Sequence, residues 1–425
     1  MSKLPNGWRS ERLVDYLEKL IDYRGKTPKK SESGIIALSA KSVKMGYIDY
    51  NQVYYLSKET YKKFMVRGFP KKGDILMTTE APLGCIAKLD RDDITPAQRL
   101  FTLRGKQNVL NNDYLMYYLM SKQGQHELHS RASGTTVQGI KRSEFENVSI
   151  ILPSNYEEQK AIADVLSSLD EKIELLQEEN KTLEELAQTM FKEWFVNFNY
   201  PGATGEMEDS ELGEIPKGWR VIELRKIVDT INGYAYKGKE LVEESLEALV
   251  TLKSFNRNGG FQTRGFKPFS GNPKQKQEVQ LSDLIVSHTD LTQDAEVIGN
   301  PAFIFENGGF KKMYITMDLV KVVSKEEKID NSFLYYLMKR REFKEHCVGY
   351  SNGTTVLHLS KLAIPEYKLG LPQDFDLIET FSSIIKPSIE KIMNNINQVQ
   401  TLSETRDILL PKLMSGEIRV EGFGE

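Results

Sequence analysis

Two short segments carry the residue types best suited to contact with a polyanion or with base edges. Residues 132–153 read ASGTTVQGIKRSEFENVSIILP and residues 351–372 read SNGTTVLHLSKLAIPEYKLGLP. Each holds Gly-Thr-Thr-Val, then a basic residue, then a strand-like run that closes on Leu-Pro. Small hydroxyl side chains beside glycine can donate to phosphate oxygens or base edges while the backbone comes close. Thr135, Thr136, Gln138, Lys141 and Arg142 are the candidates in the first segment; Thr354, Thr355, His358 and Lys361 are those in the second. Gln138 and His358 are read as one matched position that differs between the halves, as base readers should when the two halves meet different bases. The competing reading is a loop packed to join a helix to a strand.

Two earlier loops have a related composition. DYRGKTPKK (22–30) offers Arg24, Lys26 and Thr27, and INGYAYKGKE (231–240) offers Lys237 and Lys239. Glycine with Lys, Arg and Tyr suits phosphate contact, and a solvated basic turn is the plain alternative. The second loop also reads Gly233-x4-Gly238-Lys239, but Glu240 stands where a nucleotide-binding loop needs Ser or Thr, so nucleotide binding is not expected. Asn300-Pro301-Ala302-Phe303 lacks the middle proline of an amino-methyltransferase motif, and no glycine-rich cofactor loop follows a strand elsewhere. The five histidines show no His-Glu-x-x-His pattern, and Cys85 and Cys347 lack metal or redox spacing. No catalytic constellation and no metal site is expected.

The chain is written twice. LPNGWRSERL at 4–13 returns as IPKGWRVIEL at 215–224, YYLM at 117–120 returns at 335–338, and the Gly-Thr-Thr-Val element returns at an offset of 219 residues. A period this long excludes a solenoid and favours two similar domains, each followed by a helix. Short β-branched and aromatic runs such as GDILMTT and DLIVSHT alternate with helical patches such as NSFLYYLMKRREFKEHC, so each domain is expected to be α+β.

The helical tails carry the elements that must space these domains. Ile162, Leu166, Leu169, Ile173, Leu176, Asn180 and Leu183 follow the 4,3 spacing of a coiled-coil seam, continuing to Ala187, Met190 and Trp194. The same register 219 residues later gives a weaker seam that includes Ile392, Asn395, Val399, Leu402 and Leu409. Each stripe alone would meet water, so the two are expected to pair within the chain, with Asn180 and Asn395 as polar residues that fix register. Pro387 is expected to interrupt the second helix, whose long part would run from near Ser388 to near Pro411. Such a rod spans roughly 36 Å, about one turn of B-DNA. The expected boundaries are a first domain at 1–153, a first helical region at 154–200, a linker at 201–216, a second domain at 217–372 and a second helical region at 373–425.

A net charge of −3 conceals an uneven distribution: +9 over 1–150, −7 over 151–200, −5 over 201–216, +4 over 217–372 and −4 over 373–425. Basic charge therefore gathers in the two domains, a fair footprint for two phosphate-facing surfaces. No run approaches the ~18 apolar residues of a membrane span, and no signal core opens the chain, so a cytoplasmic location without membrane contact is expected.

Together the motifs resemble the specificity subunits of type I restriction-modification enzymes. The resemblance rests on LPSNYEEQKAIADVLSSLDEKIELLQ (152–177), FKEWFVNF (191–198), LGEIPKGW (212–219) and LLPKLMSGEI (409–418), and it covers essentially the whole chain. The second tail departs from it, since QDFDLIETF follows Leu-Pro with no Glu-Gln pair. The resemblance implies two target-recognition domains separated by paired long helices in an antiparallel coiled coil, reading a bipartite duplex DNA sequence without chemistry of their own. It also implies two modification (methyltransferase) subunits as partners, with up to two ATP-dependent restriction subunits joining them. No cofactor is then expected in this chain; S-adenosylmethionine, ATP and Mg2+ would serve the partners. Two rival readings are a self-contained methyltransferase or nuclease, opposed by the missing motifs, and a coiled-coil scaffold for protein or peptide, opposed by the +9 charge of the first domain.

Overall fold

A tryptophan-to-proline strand pair opens and closes each head. In the computed structural model, which describes residues 4–23, 25–256, 260–420 and 422, Trp8–Arg12 pairs antiparallel with Ser149–Pro153, Trp8 facing Pro153. Trp219–Glu223 pairs in the same register with Lys368–Pro372, Trp219 facing Pro372. The chain divides into two units, Met1–Glu174 with Gln400–Glu425, and Leu175–Val399, so each long helix contributes residues to both units.

Besides that strand pair, two further small sheets lie in the first unit. One is antiparallel, in the order Leu17–Asp22, Leu100–Gly105, Ile75–Thr78, Ile86–Lys88. The other sets Ile35–Leu38 between Tyr54–Leu56 and Ile94–Pro96, the last of these parallel. Alternation of apolar and polar residues is weak in Ile75–Thr78 because all four residues are buried. The helix Asn112–Met120 starts at an Asn111 cap and buries Tyr114, Tyr117 and Tyr118, whose hydroxyls find partners in Ile151 O, Asp170 and Ser149 O. Burial raises all three phenols well above their ordinary range.

The second unit repeats the plan. Val228–Asn232, Leu319–Ser324, Leu284–Ser287 and Pro301–Phe303 form the antiparallel sheet, and Glu247–Val250 lies parallel to Lys312–Ile315 in the other. The α+β expectation thus holds for both heads. The acidic stretch before the second head folds as a hairpin, Met207–Ser210 against Gly213–Pro216, and Ile215 enters the core beside Trp219.

The long helices, Tyr156–Phe195 and Asp376–Ser415, run antiparallel. Within the first unit Asp170 pairs with Arg406 at 2.8 Å and Glu158 with Arg419 at 2.8 Å, while Ile162 and Leu166 join Leu413 and Met414 in one core. Within the second, Asn395 donates to Asn180 (2.9 Å) and Glu179 (2.8 Å), and Phe191, Trp194 and Phe195 close around Phe381. Of the seam, Ile162, Leu166, Ile173, Leu176, Ile392 and Asn395 are buried, and Leu169, Asn180, Leu183, Val399, Leu402 and Leu409 half-buried. The second seam is weaker because Arg406 occupies a seam position, where it answers Asp170 with charge rather than packing.

The second helix contradicts one expectation: it continues through both Pro387 and Pro411. A proline inside a helix removes one backbone donor and frees the carbonyl four residues back. Here both prolines are exposed, as are Ser383 and Asp407, so water can satisfy the freed carbonyls. The buried residues Phe381, Ile385, Ile389 and Ile392 hold the helix on either side of Pro387. Among the described residues no helix is long and apolar enough to cross a membrane.

Candidate nucleic-acid interface

The Gly-Thr-Thr loops are constrained turns that push their hydroxyls outward. Gly134 has φ +111°, and a Cβ there would lie 2.2 Å from Val137 O; Gly353 has φ +128°, with Val356 O at 2.0 Å. Only glycine fits either position. Ser133 and Gly139 exchange backbone hydrogen bonds of 2.9 and 3.0 Å across the first turn, and Ser351–Asn352 pairs with Leu357–Leu359 across the second. Thr135, Thr136, Thr354 and Thr355 are exposed at the tips, as are Gln138, Lys141, Arg142, His358 and Lys361.

Register corrects the match between halves. Gly139 bridges to Ser133 and Glu80, whereas His358 pairs with Asn352 and Thr289. The counterpart of His358 is therefore Gly139, and Gln138 corresponds to Leu357, which is buried at 8% exposure. The same match follows from the 219-residue offset of the Gly-Thr-Thr-Val element, which sets Gln138 against Leu357 and Gly139 against His358.

In the first head the two candidate loops are linked through a third segment. Thr27 touches the Gln98 amide, the neighbouring Arg99 pairs with Glu80 at 2.5 Å, and Glu80 bridges Gly139 of the Gly-Thr-Thr turn. Lys26 and Thr27 are exposed there; Arg24 lies outside the described residues. In the second head Tyr234 bridges Thr316, His288 N donates to Asp318 O (2.7 Å), and Leu359 N donates to His288 O (2.9 Å). Lys237 and Lys239 are exposed on the early loop, whose Glu240 accepts from Lys237 N and from the Tyr234 hydroxyl. Glu240 thus folds its own turn in the place where a nucleotide-binding loop would carry a metal-binding hydroxyl.

Sequence reading missed Gln98, Arg99, His288 and Met317, which lie at the contacts linking the early loop to the Gly-Thr-Thr turn in each head. Arg99 sits at φ +66°, a conformation no local signal announces for arginine. The His288 imidazole is held below its ordinary range by burial and then by the charges of His358 and Lys361, with Asp318 opposing. The folded head therefore resists a proton that the unfolded chain accepts near pH 6.5, so folding stability from this group is present above that pH and is lost as pH falls below it. Between pH 7 and pH 5 the melting temperature of the second unit is expected to drop more in the native chain than in His288→Gln; equal drops would show that His288 does not carry the effect.

Asn300 donates to Glu296 O and accepts from Lys344, so its amide is spent inside the fold. Among the described residues no group of three or more His, Cys, Asp or Glu side chains could hold a metal ion.

Residues 5–185 match the family of type I restriction modification DNA specificity domains. The MjaIX type I restriction enzyme specificity subunit of Methanocaldococcus jannaschii is 29% identical over 376 residues, covering 86% of this chain and 82% of that one. The MjaVIII specificity subunit of the same organism is 25% identical over 440 residues, covering 99% and 95%. A type I restriction-modification S subunit from M. genitalium, known from its crystal structure, superposes with a TM-score of 0.62 at 19% identity over 97% of each chain, a likeness of fold. With relatives aligned along nearly the whole length, the chain is similar to the specificity subunits of type I restriction-modification systems, and residues 5–185 carry the match to the DNA specificity domain.

Proposed function

We propose that this chain reads a bipartite duplex DNA sequence, one half-site per head, and directs two modification subunits to it. One observation carries the reading: each head builds the same glycine-locked turn with two exposed threonines, joined through a central turn to a basic early loop. Exposed hydroxyls on a rigid backbone cost little ordering on binding, and the flanking lysines supply phosphate contacts. In this reading Lys26, Lys141, Arg142, Lys237, Lys239 and Lys361 position the duplex, while Thr135, Thr136, Gln138, Thr354, Thr355 and His358 face bases or phosphates. Methylation with S-adenosylmethionine, and restriction with ATP and Mg2+, are assigned to the partner subunits; up to two restriction subunits would join. The acidic helical regions suit protein contacts better than DNA.

Salt titration of DNA binding by the full chain with its modification subunits tests this. Binding should weaken steeply with salt, and Lys26→Ala, Lys141→Ala, Lys237→Ala and Lys239→Ala should each reduce the log–log slope by about 1. A slope near zero, with peptide binding instead, would favour the scaffold reading.

A further inference from the structure

The two heads can be superimposed in register at a turn that lies between the early loop and the Gly-Thr-Thr turn. Ala97 N donates to Leu38 O (2.9 Å) as Thr316 N donates to Val250 O (3.1 Å), and Thr79 N donates to Arg99 O (2.9 Å) as His288 N donates to Asp318 O (2.7 Å). Leu100 and Leu319, which follow, are both buried. Gln98 of the first head therefore corresponds to Met317 of the second. Gln98 touches Thr27; Met317 is fixed through its own N–H to Tyr234 O (3.0 Å) and leaves its side chain 59% exposed.

A second exposed apolar residue follows three positions after His288, whose N–H donates to the carbonyl of Asp318, the neighbour of Met317. Leu291 is 67% exposed just after the strand Thr289–Asp290 that pairs with His358. The Asp290 carboxylate accepts from the backbone of Thr292 (2.9 Å), Val297 (2.6 Å) and Ile298 (3.1 Å), which holds that bend. Two large apolar side chains are thus presented to water on fixed backbone, Met317 next to the Asp318 carbonyl that accepts from His288 N and Leu291 just past the strand that pairs with His358, while the charges of His358 and Lys361 reach His288. Packing within the head does not explain them. The surroundings select a polar, anionic partner that carries a small apolar feature. In the major groove of duplex DNA that feature is the pyrimidine C5-methyl of thymine.

We propose that Met317 is a specificity-determining residue of the second head, packing against the C5-methyl of a thymine in its half-site, with Leu291 as an adjoining apolar wall. This rests on the DNA-recognition reading above. In the first head the same position offers the Gln98 amide, which reads hydrogen-bonding edges instead, so the two half-sites are distinguished by chemistry at one equivalent turn.

The test uses the full chain with its modification subunit and synthetic duplexes, in which only thymine carries a C5-methyl. Once the recognition motif is mapped, each thymine of the second half-site is replaced singly by uracil. Loss of one buried methyl is worth about a fourfold fall in affinity. The expected result is such a fall at one position for the native chain, no fall at that position for Met317→Gln, and restoration of the fall in Met317→Leu. A second half-site without thymine on either strand, or uracil effects below about twofold everywhere, overturns the proposal while leaving bipartite recognition intact. So does an equal uracil effect in Met317→Gln. Absence of any sequence-specific binding overturns both readings, and unfolding of Met317→Gln is excluded by its melting temperature and by unchanged reading of the first half-site.

Discussion

Phe381→Ala is expected to destabilise the second unit by about 3–5 kcal/mol, the range for removing a large aromatic from a packed core. Phe381 is fully buried, and its ring lies 5.7 Å from Phe191, 6.0 Å from Trp194, 5.4 Å from Phe195 and 6.3 Å from Phe333. These partners come from the first long helix and from the helix Asn331–Met338, so a single ring joins the second long helix to both. A cavity at that junction cannot collapse easily, because five aromatic rings, Tyr336 at 6.4 Å included, meet Phe381 there edge to face and each would have to leave its own contacts. Ile384→Ala, one turn away and 50% exposed, should cost less than about 1 kcal/mol. Denaturant unfolding followed through Trp194 and Trp219 fluorescence would measure both. Equal effects from the two substitutions would contradict the packing described for the helix pair.

The second large effect concerns recognition rather than stability. Gly353→Ala places a methyl 2.0 Å from Val356 O in a turn at φ +128°, and Gly134→Ala places one 2.2 Å from Val137 O at φ +111°. Neither clash can be relieved by a flexible side chain, since the obstructing atom is backbone. The turn must open, at a local cost of about 1–3 kcal/mol, and its two threonines leave their common geometry. Affinity for the cognate duplex should fall about tenfold or more in each variant. The falls should be separable: Gly353→Ala loses discrimination in one half-site, Gly134→Ala in the other. Gly349→Ala, where a Cβ meets nothing within 4 Å, serves as the neutral comparison. Loss of discrimination in both half-sites from a single substitution would mean that the turns do not act head by head.

How much of this was legible beforehand follows from the range of the forces involved. The repeat, the α+β heads and the paired helices are written in composition and periodicity, because burial of an apolar face imposes a regular spacing. Ile162, Leu166, Ile173 and Leu176 are buried as their 4,3 spacing requires. Helix interruption at Pro387 was a sound local inference that tertiary contact overrode: exposure lets water serve the freed carbonyl, and the buried residues on both sides hold the axis. The match of Gln138 with His358 was one residue out: the 219-residue offset itself sets Gln138 against Leu357 and Gly139 against His358, and the strand pairing agrees. The central turn, with Gln98 and Arg99 in one head and Met317 in the other, could not be read in advance. Its position depends on parallel pairing of Ile35–Leu38 with Ile94–Pro96 and of Glu247–Val250 with Lys312–Ile315. The linker held a further surprise: an acid-rich stretch with Gly and Pro signals forms a hairpin because Ile215 can bury itself beside Trp219.

The most direct test of bipartite recognition is to express the chain with its modification subunit in an unmethylated host and map modified adenines by long-read sequencing. Bipartite recognition predicts one split motif, two defined halves separated by a fixed unspecified gap of roughly half a turn to one turn of duplex. A continuous motif, or no methylation from a soluble complex that also fails to bind DNA, would contradict it.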